Sequence, residues 1–140
     1  MRVLVDTPVW SEFFRRAAPN PSVRDALRAL IEGGEAILIG PVRQEIISGI
    51  RVPEHFDRLR IALMAFDDEP IRTEDHENAA RMFNICRSLG VQGSNTDFLI
   101  CALAARLSAP VFTLDRDLDS LARFLPIRLY RATPTRDSGT

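Results

Sequence analysis

Four carboxylates lie in apolar stretches of the 140-residue chain, where the needs of folding do not readily explain them. Asp6 and Asp115 each follow a short apolar run, Asp97 precedes an almost wholly apolar segment, and Glu45 lies between apolar residues. An ionised carboxylate beside a core is unfavourable unless a partner compensates its charge. No matching set of basic residues accompanies these positions, so a hard cation such as Mg²⁺ or Mn²⁺ is the best compensation. The pattern therefore predicts metal-dependent chemistry on a phosphodiester.

Each acid also has an ordinary structural explanation. Asp6 could cap the helix that follows it, and Asp97 could stabilise the positive end of its own helix dipole. Glu45 could be a solvated helix residue, and Asp115 could belong, with Asp117 and Asp119, to a turn that starts a helix. The joint placement of the four acids is what favours a site over these separate explanations.

Short apolar strands that alternate with helices must position these acids. Strands are predicted at 2–6, 36–39, 111–114 and 127–130, with a further short strand near residue 71. Helices are predicted at 9–16, 21–32, 42–50, 54–66, 74–89, from 97 to about 108, and at 117–123. Such alternation indicates a parallel sheet covered by helices on both faces, with ligands bound beyond the carboxyl ends of its strands. Asp6 and Asp115 both stand at that edge.

The length and composition predict one domain at 1–132, followed by a polar, mobile tail at 133–140. No apolar run approaches the roughly 18 residues that span a bilayer, so no membrane segment is expected. The N-terminus has no signal-peptide pattern. Cys86 and Cys101 form no CxxC pair and are predicted to be buried thiols, which favours a reducing cytoplasm.

The charge balance limits the mode of nucleic-acid binding. All 18 basic residues are Arg, and the net charge is −1. This balance argues against broad, nonspecific binding of nucleic acid but allows a local basic rim around an acidic centre. Arg suits phosphate because its planar fork donates two hydrogen bonds at once, although solvated helix faces explain the same residues.

Other catalytic chemistries lack support in the chain. There is no GxxxxGK[ST] loop, no GxGxxG after a strand and no GxSxG elbow. His55 and His76 have no His or Cys partners at ligand spacing, so both are expected at the surface and zinc is not expected.

The stretches that carry the four acids resemble PIN-domain ribonucleases, and within them the VapC-type toxins of bacterial toxin–antitoxin pairs. The matching stretches are VLVDTPVWSEFF at 3–14, IGPVRQEIISGI at 39–50, GSNTDFLICALA at 93–104 and VFTLDRDLDSLA at 111–122. Their order and spacing cover residues 1 to about 130. The chain departs from the pattern at Pro8, where related sequences often carry Ser.

This resemblance implies a three-layer α/β/α sandwich with a small parallel sheet and a metal-dependent endoribonuclease. The implied catalytic acids are Asp6, Glu45, Asp97 and Asp115, and the implied metal ligands are Asp6, Asp97, Asp115 and Asp117. Thr7, Asn95 and Thr113 are implied as polar residues beside these acids. One or two Mg²⁺ ions, or Mn²⁺ in their place, would activate a water molecule.

The resemblance also implies RNA as the substrate, a VapB-type antitoxin as a partner, and a homodimer. We expect the antitoxin to lie in a groove near 10–14 and 56–63 and to send an Arg or Lys towards the acids. The large apolar residues of segment 54–66 and of the helix that follows it independently favour a dimer interface.

Two other functions remain open. The chain could be a catalytically inactive PIN-like scaffold that binds a protein or RNA partner, although its intact acids argue against this. It could also be a haloacid-dehalogenase-like phosphatase that uses Asp6 as its nucleophile. That chemistry expects a second acid at position 8, which is Pro8 here.

Overall fold

Four short parallel strands form the centre of the computed structural model, which describes residues 1–14 and 20–132. The strands are β1 (Val3–Val5), β2 (Ala36–Ile37), β3 (Val111–Phe112) and β4 (Leu129–Tyr130). Their order in the sheet is β2-β1-β3-β4. In the register, Val5 pairs with Phe112 and Leu4 with Ile37, so β1 and β3 are neighbours and end side by side.

Seven helices surround this sheet within the described residues. They are α1 (Thr7–Phe14), α2 (Pro21–Glu32), α3 (Gly40–Ile47), α4 (Pro53–Leu63), α5 (Thr73–Ser88), α6 (Asn95–Leu107) and α7 (Arg116–Leu121). The predicted α/β class and the three-layer sandwich with a small parallel sheet are confirmed.

The helix starts follow local capping rules. α2 begins where predicted because Asn20 Oδ1 accepts hydrogen bonds from the backbone of Ser22 and Val23, at 3.0 and 3.4 Å. Pro21 follows at the first position, where a missing N–H costs nothing. α3 and α4 also carry Pro in their first turn.

One predicted strand is wrong. Residues near Ile71 form no strand; instead Leu38 makes an isolated parallel bridge with Asp68. Arg43 secures this segment, because its guanidinium bonds to Asp68 and to the carbonyls of Leu63 and Phe66. The predicted end of the first helix at 15–16 and the predicted tail at 133–140 lie outside the described residues.

The core is a continuous apolar cluster to which both faces of the sheet contribute. α5 packs along α6, and a buried ion pair fixes this contact. Arg106 donates to both oxygens of Asp75, at 2.7 and 2.9 Å, and Asp75 is fully buried. Asp75 also accepts a hydrogen bond from the backbone of Arg72 at the start of α5. The end of α6 is thereby tied to the beginning of α5.

Among the described residues, no helix is both long enough and apolar enough to cross a bilayer. The predicted burial of Cys86 and Cys101 is confirmed, and both are free thiols.

Candidate metal centre

Adjacent strands place Asp6 and Asp115 at one edge of the sheet. Asp6 directly follows β1, and its backbone N–H donates to the carbonyl of Phe112, the last residue of β3, at 2.9 Å. Beyond β3 the chain turns, and the backbone N–H of Asp115 donates to Thr113 Oγ1 at 2.9 Å. Because both strands are parallel, their carboxyl ends meet here, and the two acids approach each other.

The first turn of α6 brings the third acid to the same point. Ser94 caps this helix: its Oγ accepts from the backbone of Asp97, and Asp97 Oδ2 accepts from the backbone of Ser94, at 3.1 and 2.9 Å. This reciprocal capping box fixes the Asp97 carboxylate at the helix start. Asp97 is 7% exposed although it is charged, so its position is not that of a surface residue.

Asp6, Asp97 and Asp115 form a cluster that suits a divalent ion. One carboxylate oxygen of each residue lies within 4.8 Å of the others. Oxygen ligands bind Mg²⁺ at about 2.1 Å, so opposite ligands of one ion lie roughly 4 Å apart. Small side-chain adjustments therefore suffice for all three oxygens to reach a common ion. The donor set holds only hard oxygens, which favours Mg²⁺ or Mn²⁺.

Two threonines orient the carboxylates of Asp6 and Glu45. Thr113 Oγ1 donates to Asp6 Oδ2 at 2.8 Å, and the backbone N–H of Thr7 donates to Asp6 Oδ1 at 2.8 Å. Thr7 Oγ1 in turn donates to Glu45 Oε2 at 2.6 Å. Glu45 is exposed, so Thr7 connects the buried Asp6 to a carboxylate on the solvent side of the site.

Burial and nearby negative charges disfavour the charged forms of Asp6 and Asp97. Burial is the main cause that raises the pKa of Asp6 from 3.8 to about 6. Hydrogen bonds from Thr113 and Thr7 act in the opposite direction, and the nearby charges of Asp97 and Asp115 raise the pKa further. Burial likewise raises the pKa of Asp97. A bound cation would offset the free-energy cost of keeping these carboxylates charged.

The acids open into a cleft of about 330 Å³. We call it the acid cleft; it is lined by Asp6, Thr7, Pro8, Glu45, Ser94, Asp97, Asp115 and Asp117. Asp117 lies at its edge, where its backbone N–H bonds to Asp115 Oδ1 at 2.9 Å. Thr113 lies beneath the cleft and is 5% exposed.

Asn95 is the predicted site residue that the structure does not bring to the acid cleft. It lines a neighbouring pocket with Thr96. The reason is helical geometry: successive side chains diverge by about 100°, so Asn95 and Asp97 leave α6 in different directions.

A model of the PIN domain matches residues 3–124 of the chain. The chain belongs to the PIN-domain family. Its relatives include Ribonuclease VapC11 of Mycobacterium tuberculosis and VapC ribonuclease Mb1587 of Mycobacterium bovis. Each is 30% identical over 126 residues, which cover 86% of this chain and 92% of the relative. The PIN domain is therefore of the VapC type.

Solved structures share the fold of this PIN domain at low sequence identity. FitAcB from Neisseria gonorrhoeae superposes with a TM-score of 0.76 and 20% identity, covering 93% of this chain and 97% of that one. VapBC2 from Rickettsia felis, bound to a promoter DNA fragment, gives 0.72 and 16%, with coverage of 93% and 98%.

Sequence reasoning missed two residues that line the acid cleft of this PIN domain. Ser94 was not predicted to hold Asp97. The spacing Ser94-x-x-Asp97 is itself the signal, because a capping box requires an acceptor at the third helical position. Pro8 was considered as a departure from related sequences and from phosphatase chemistry, but not as a residue that lines the acid cleft.

Proposed function

We propose that this PIN domain is a metal-dependent endoribonuclease that acts as the toxin of a VapBC-type toxin–antitoxin pair. The observation that carries the proposal is the convergence of Asp6, Asp97 and Asp115, whose ligand oxygens lie within 4.8 Å of one another. Two of these acids are buried, and their charges need a cation. The similarity to VapC ribonucleases supports RNA as the substrate.

In this proposal Asp6, Asp97 and Asp115 hold Mg²⁺ or Mn²⁺, with Asp117 as an auxiliary ligand. When bound there, such an ion would supply a water of lowered pKa and would stabilise negative charge on the attacked phosphate. Thr113 and Thr7 hold the Asp6 carboxylate in one orientation. Glu45, at the solvent side, would accept the proton of the attacking water while the P–O bond to the leaving ribose oxygen breaks and solvent protonates that oxygen. Thr7 positions this carboxylate through its 2.6 Å hydrogen bond.

The test compares wild type with Asp97→Asn by sequencing RNA ends after each protein acts on purified RNA. We expect a loss of at least about 100-fold in cleavage, because Asn removes a charged ligand but keeps the shape. Asp25→Asn is the matched control, since Asp25 is an exposed acid on α2. Cleavage that survives exhaustive EDTA treatment would rule out the metal mechanism. Mg²⁺ binding without cleavage by the wild type would favour an inactive scaffold.

A groove of about 520 Å³ supports an antitoxin partner. Its lining combines apolar and basic residues: Phe14, Ile50, Arg51, Val52, His55, Arg58, Leu59 and Ala62. The expected location is partly corrected, because Trp10 is fully buried and cannot contact a partner. Trp10 instead supports the groove from beneath: it stacks on Phe14, and its Nε1 donates to the carbonyl of Val5. An apolar helix with acidic flanks fits this surface.

A homodimer also forms part of the proposal. Ile61 and Met64 near the end of α4 are 57% and 66% exposed, and Ile85 and Leu89 on or beside α5 are about half exposed. Exposed apolar groups of this size often mark interfaces. Light scattering should give a dimer mass, and a monomer mass over a wide concentration range would contradict the interface.

The free thiols of Cys86 and Cys101 fit a reducing compartment such as the cytoplasm.

A further inference from the structure

A second pocket, of about 360 Å³, adjoins the acid cleft and has no part in the chemistry described above. Its walls come from the start of α3, from one side of α5 and from the first turns of α6. The residues that line it include Pro41, His76, Phe83, Asn95, Thr96 and Phe98.

Two of these helices, α3 and α6, line the acid cleft as well as the pocket. On α3, Pro41 faces the pocket and Glu45 faces the cleft, and residues four apart lie one turn from each other on one helix face. On α6, Asn95 faces the pocket, and Asp97 faces the cleft. An RNA chain with one phosphate at the acids therefore has an adjacent nucleotide within reach of the pocket.

The pocket floor is aromatic. The rings of Phe83 and Phe98 meet edge to face, with centroids 5.5 Å apart and an interplanar angle of 76°. Phe98 is buried, whereas Phe83 is half-buried: Arg87 lies over its ring, 5.9 Å from the centroid, and the ring also lines the pocket. Aromatic side chains of this kind receive unstacked bases in proteins that bind single-stranded RNA.

The pocket rim offers neutral hydrogen-bonding groups. Within residues 1–14 and 20–132, the side chains of Asn95, Thr96 and His76 make no hydrogen bond. The Asn95 amide carries a donor and an acceptor side by side, which matches the edge of a base. The lining contains no Asp, Glu, Arg or Lys. It therefore suits a flat, neutral group better than a phosphate or a metal ion.

We propose that this pocket holds one unpaired base of the RNA substrate, next to the cleaved phosphate, and that Asn95 reads the edge of that base. The inference rests on the proposed ribonuclease activity and adds a specificity-determining residue to it. Phe83 supplies stacking, which tolerates any base, and Asn95 supplies discrimination among bases.

The test compares Asn95→Ala with Asn84→Ala on an RNA pool of random sequence, with the ends of the products sequenced. Ser94, not Asn95, caps α6, so Ala at position 95 leaves the helix start intact. Asn84 is an exposed amide on α5 that makes no hydrogen bond among the described residues, which makes it a matched control. We expect the wild type to favour certain bases at one position beside the cut. Asn95→Ala should lower that preference about fivefold or more and raise KM, whereas Asn84→Ala should change neither.

Several results would overturn the base pocket. One is a wild type without base preference beside the cut, and another is an Asn95→Ala variant that keeps the wild-type preference. Ala80→Arg narrows the pocket from an exposed position. If this variant separates a dimer in light scattering yet cleaves with unchanged preference and KM, the pocket is a surface between copies of the chain.

Direct binding separates failure of the base pocket from failure of the proposed activity. Fluorescein-labelled RNA homopolymers of A, C, G and U are titrated with wild type and Asn95→Ala in EDTA, and anisotropy is recorded. If the wild type cleaves no RNA, the ribonuclease proposal fails, and this titration still decides on the pocket. Discrimination among bases that Asn95→Ala loses supports the pocket, and equal binding of all bases by the wild type contradicts it.

Discussion

Replacing Asp6 by Asn should stabilise the metal-free protein at neutral and alkaline pH. Asp6 is 3% exposed and lies beside Asp97 and Asp115, so its negative charge is unfavourable in the native state. Its pKa of about 6 exceeds the ordinary 3.8, which means that the native protein binds this proton more tightly than the unfolded chain does. The contribution of Asp6 to stability is therefore most favourable below about pH 4 and is lost as the pH rises through about 6.

The size of the effect follows from the two pKa values. A rise from 3.8 to about 6 corresponds to roughly 3 kcal/mol at pH 8. Asn keeps the acceptor for the Thr7 N–H, but its amide replaces the oxygen that accepts from Thr113, and this costs about 1 kcal/mol. We expect a net gain of about 2 kcal/mol, or a Tm increase of about 5–8 °C for a chain of this length. At pH 4 the gain should vanish.

The assay is thermal and urea unfolding of both proteins in EDTA between pH 4 and pH 8. Asp25→Asn on the exposed face of α2 should shift stability by no more than about 0.5 kcal/mol at any pH. Adding Mg²⁺ should stabilise wild type more than Asp6→Asn, because the ion needs the charged ligand. A variant that is less stable than wild type at pH 8 without metal would refute the reasoning that Asp6 carries an uncompensated charge.

Three further predictions concern other parts of the fold. Glu45→Gln should lower RNA cleavage at least about tenfold while Mg²⁺ affinity by calorimetry changes little, since Glu45 lies outside the three-acid cluster. Arg106→Gln should cost roughly 3 kcal/mol in urea unfolding above pH 4, because it leaves Asp75 buried without its partner. That cost should shrink in stronger acid, where Asp75, whose pKa is lowered chiefly by the Arg106 hydrogen bond, becomes protonated. Cys86 and Cys101 should react with a thiol reagent only when the protein opens, since burial raises the pKa of Cys101 to about 12.

The sequence predicted the order of elements because apolar periodicity and helix-end residues are local signals. Helix α2 is an example: Asn20, Pro21 and the glycines after Glu32 mark both of its ends. The strand expected near Ile71 does not form: Leu38 bridges instead to Asp68, and Arg43 bonds to this same aspartate from a distant part of the chain. Strand pairing is a long-range property, and a short apolar residue run does not reveal it.

The acids of the candidate site were easier to predict than their supporting contacts. Asp6, Asp97 and Asp115 stood out because charged residues beside apolar runs conflict with local burial. The contact of Thr113 with Asp6, and that of Thr7 with Glu45, depend on the register of β1 against β3 and on the packing of α3. The direction in which Asn95 leaves α6 depends on where the helix begins, and a shift of one residue turns it by about 100°.

The capping box at Ser94 and Asp97 gives one side chain two duties. Asp97 accepts the Ser94 backbone N–H that closes the first turn of α6, and its carboxylate also belongs to the three-acid cluster. Binding of a cation and closure of this turn are then thermodynamically linked, and we expect each to favour the other because the closed turn holds the carboxylate in place. Amide hydrogen exchange in the first turn of α6 should therefore slow when Mg²⁺ is added. The exchange rate of these amides would then report how much of the metal site is occupied, without any RNA substrate.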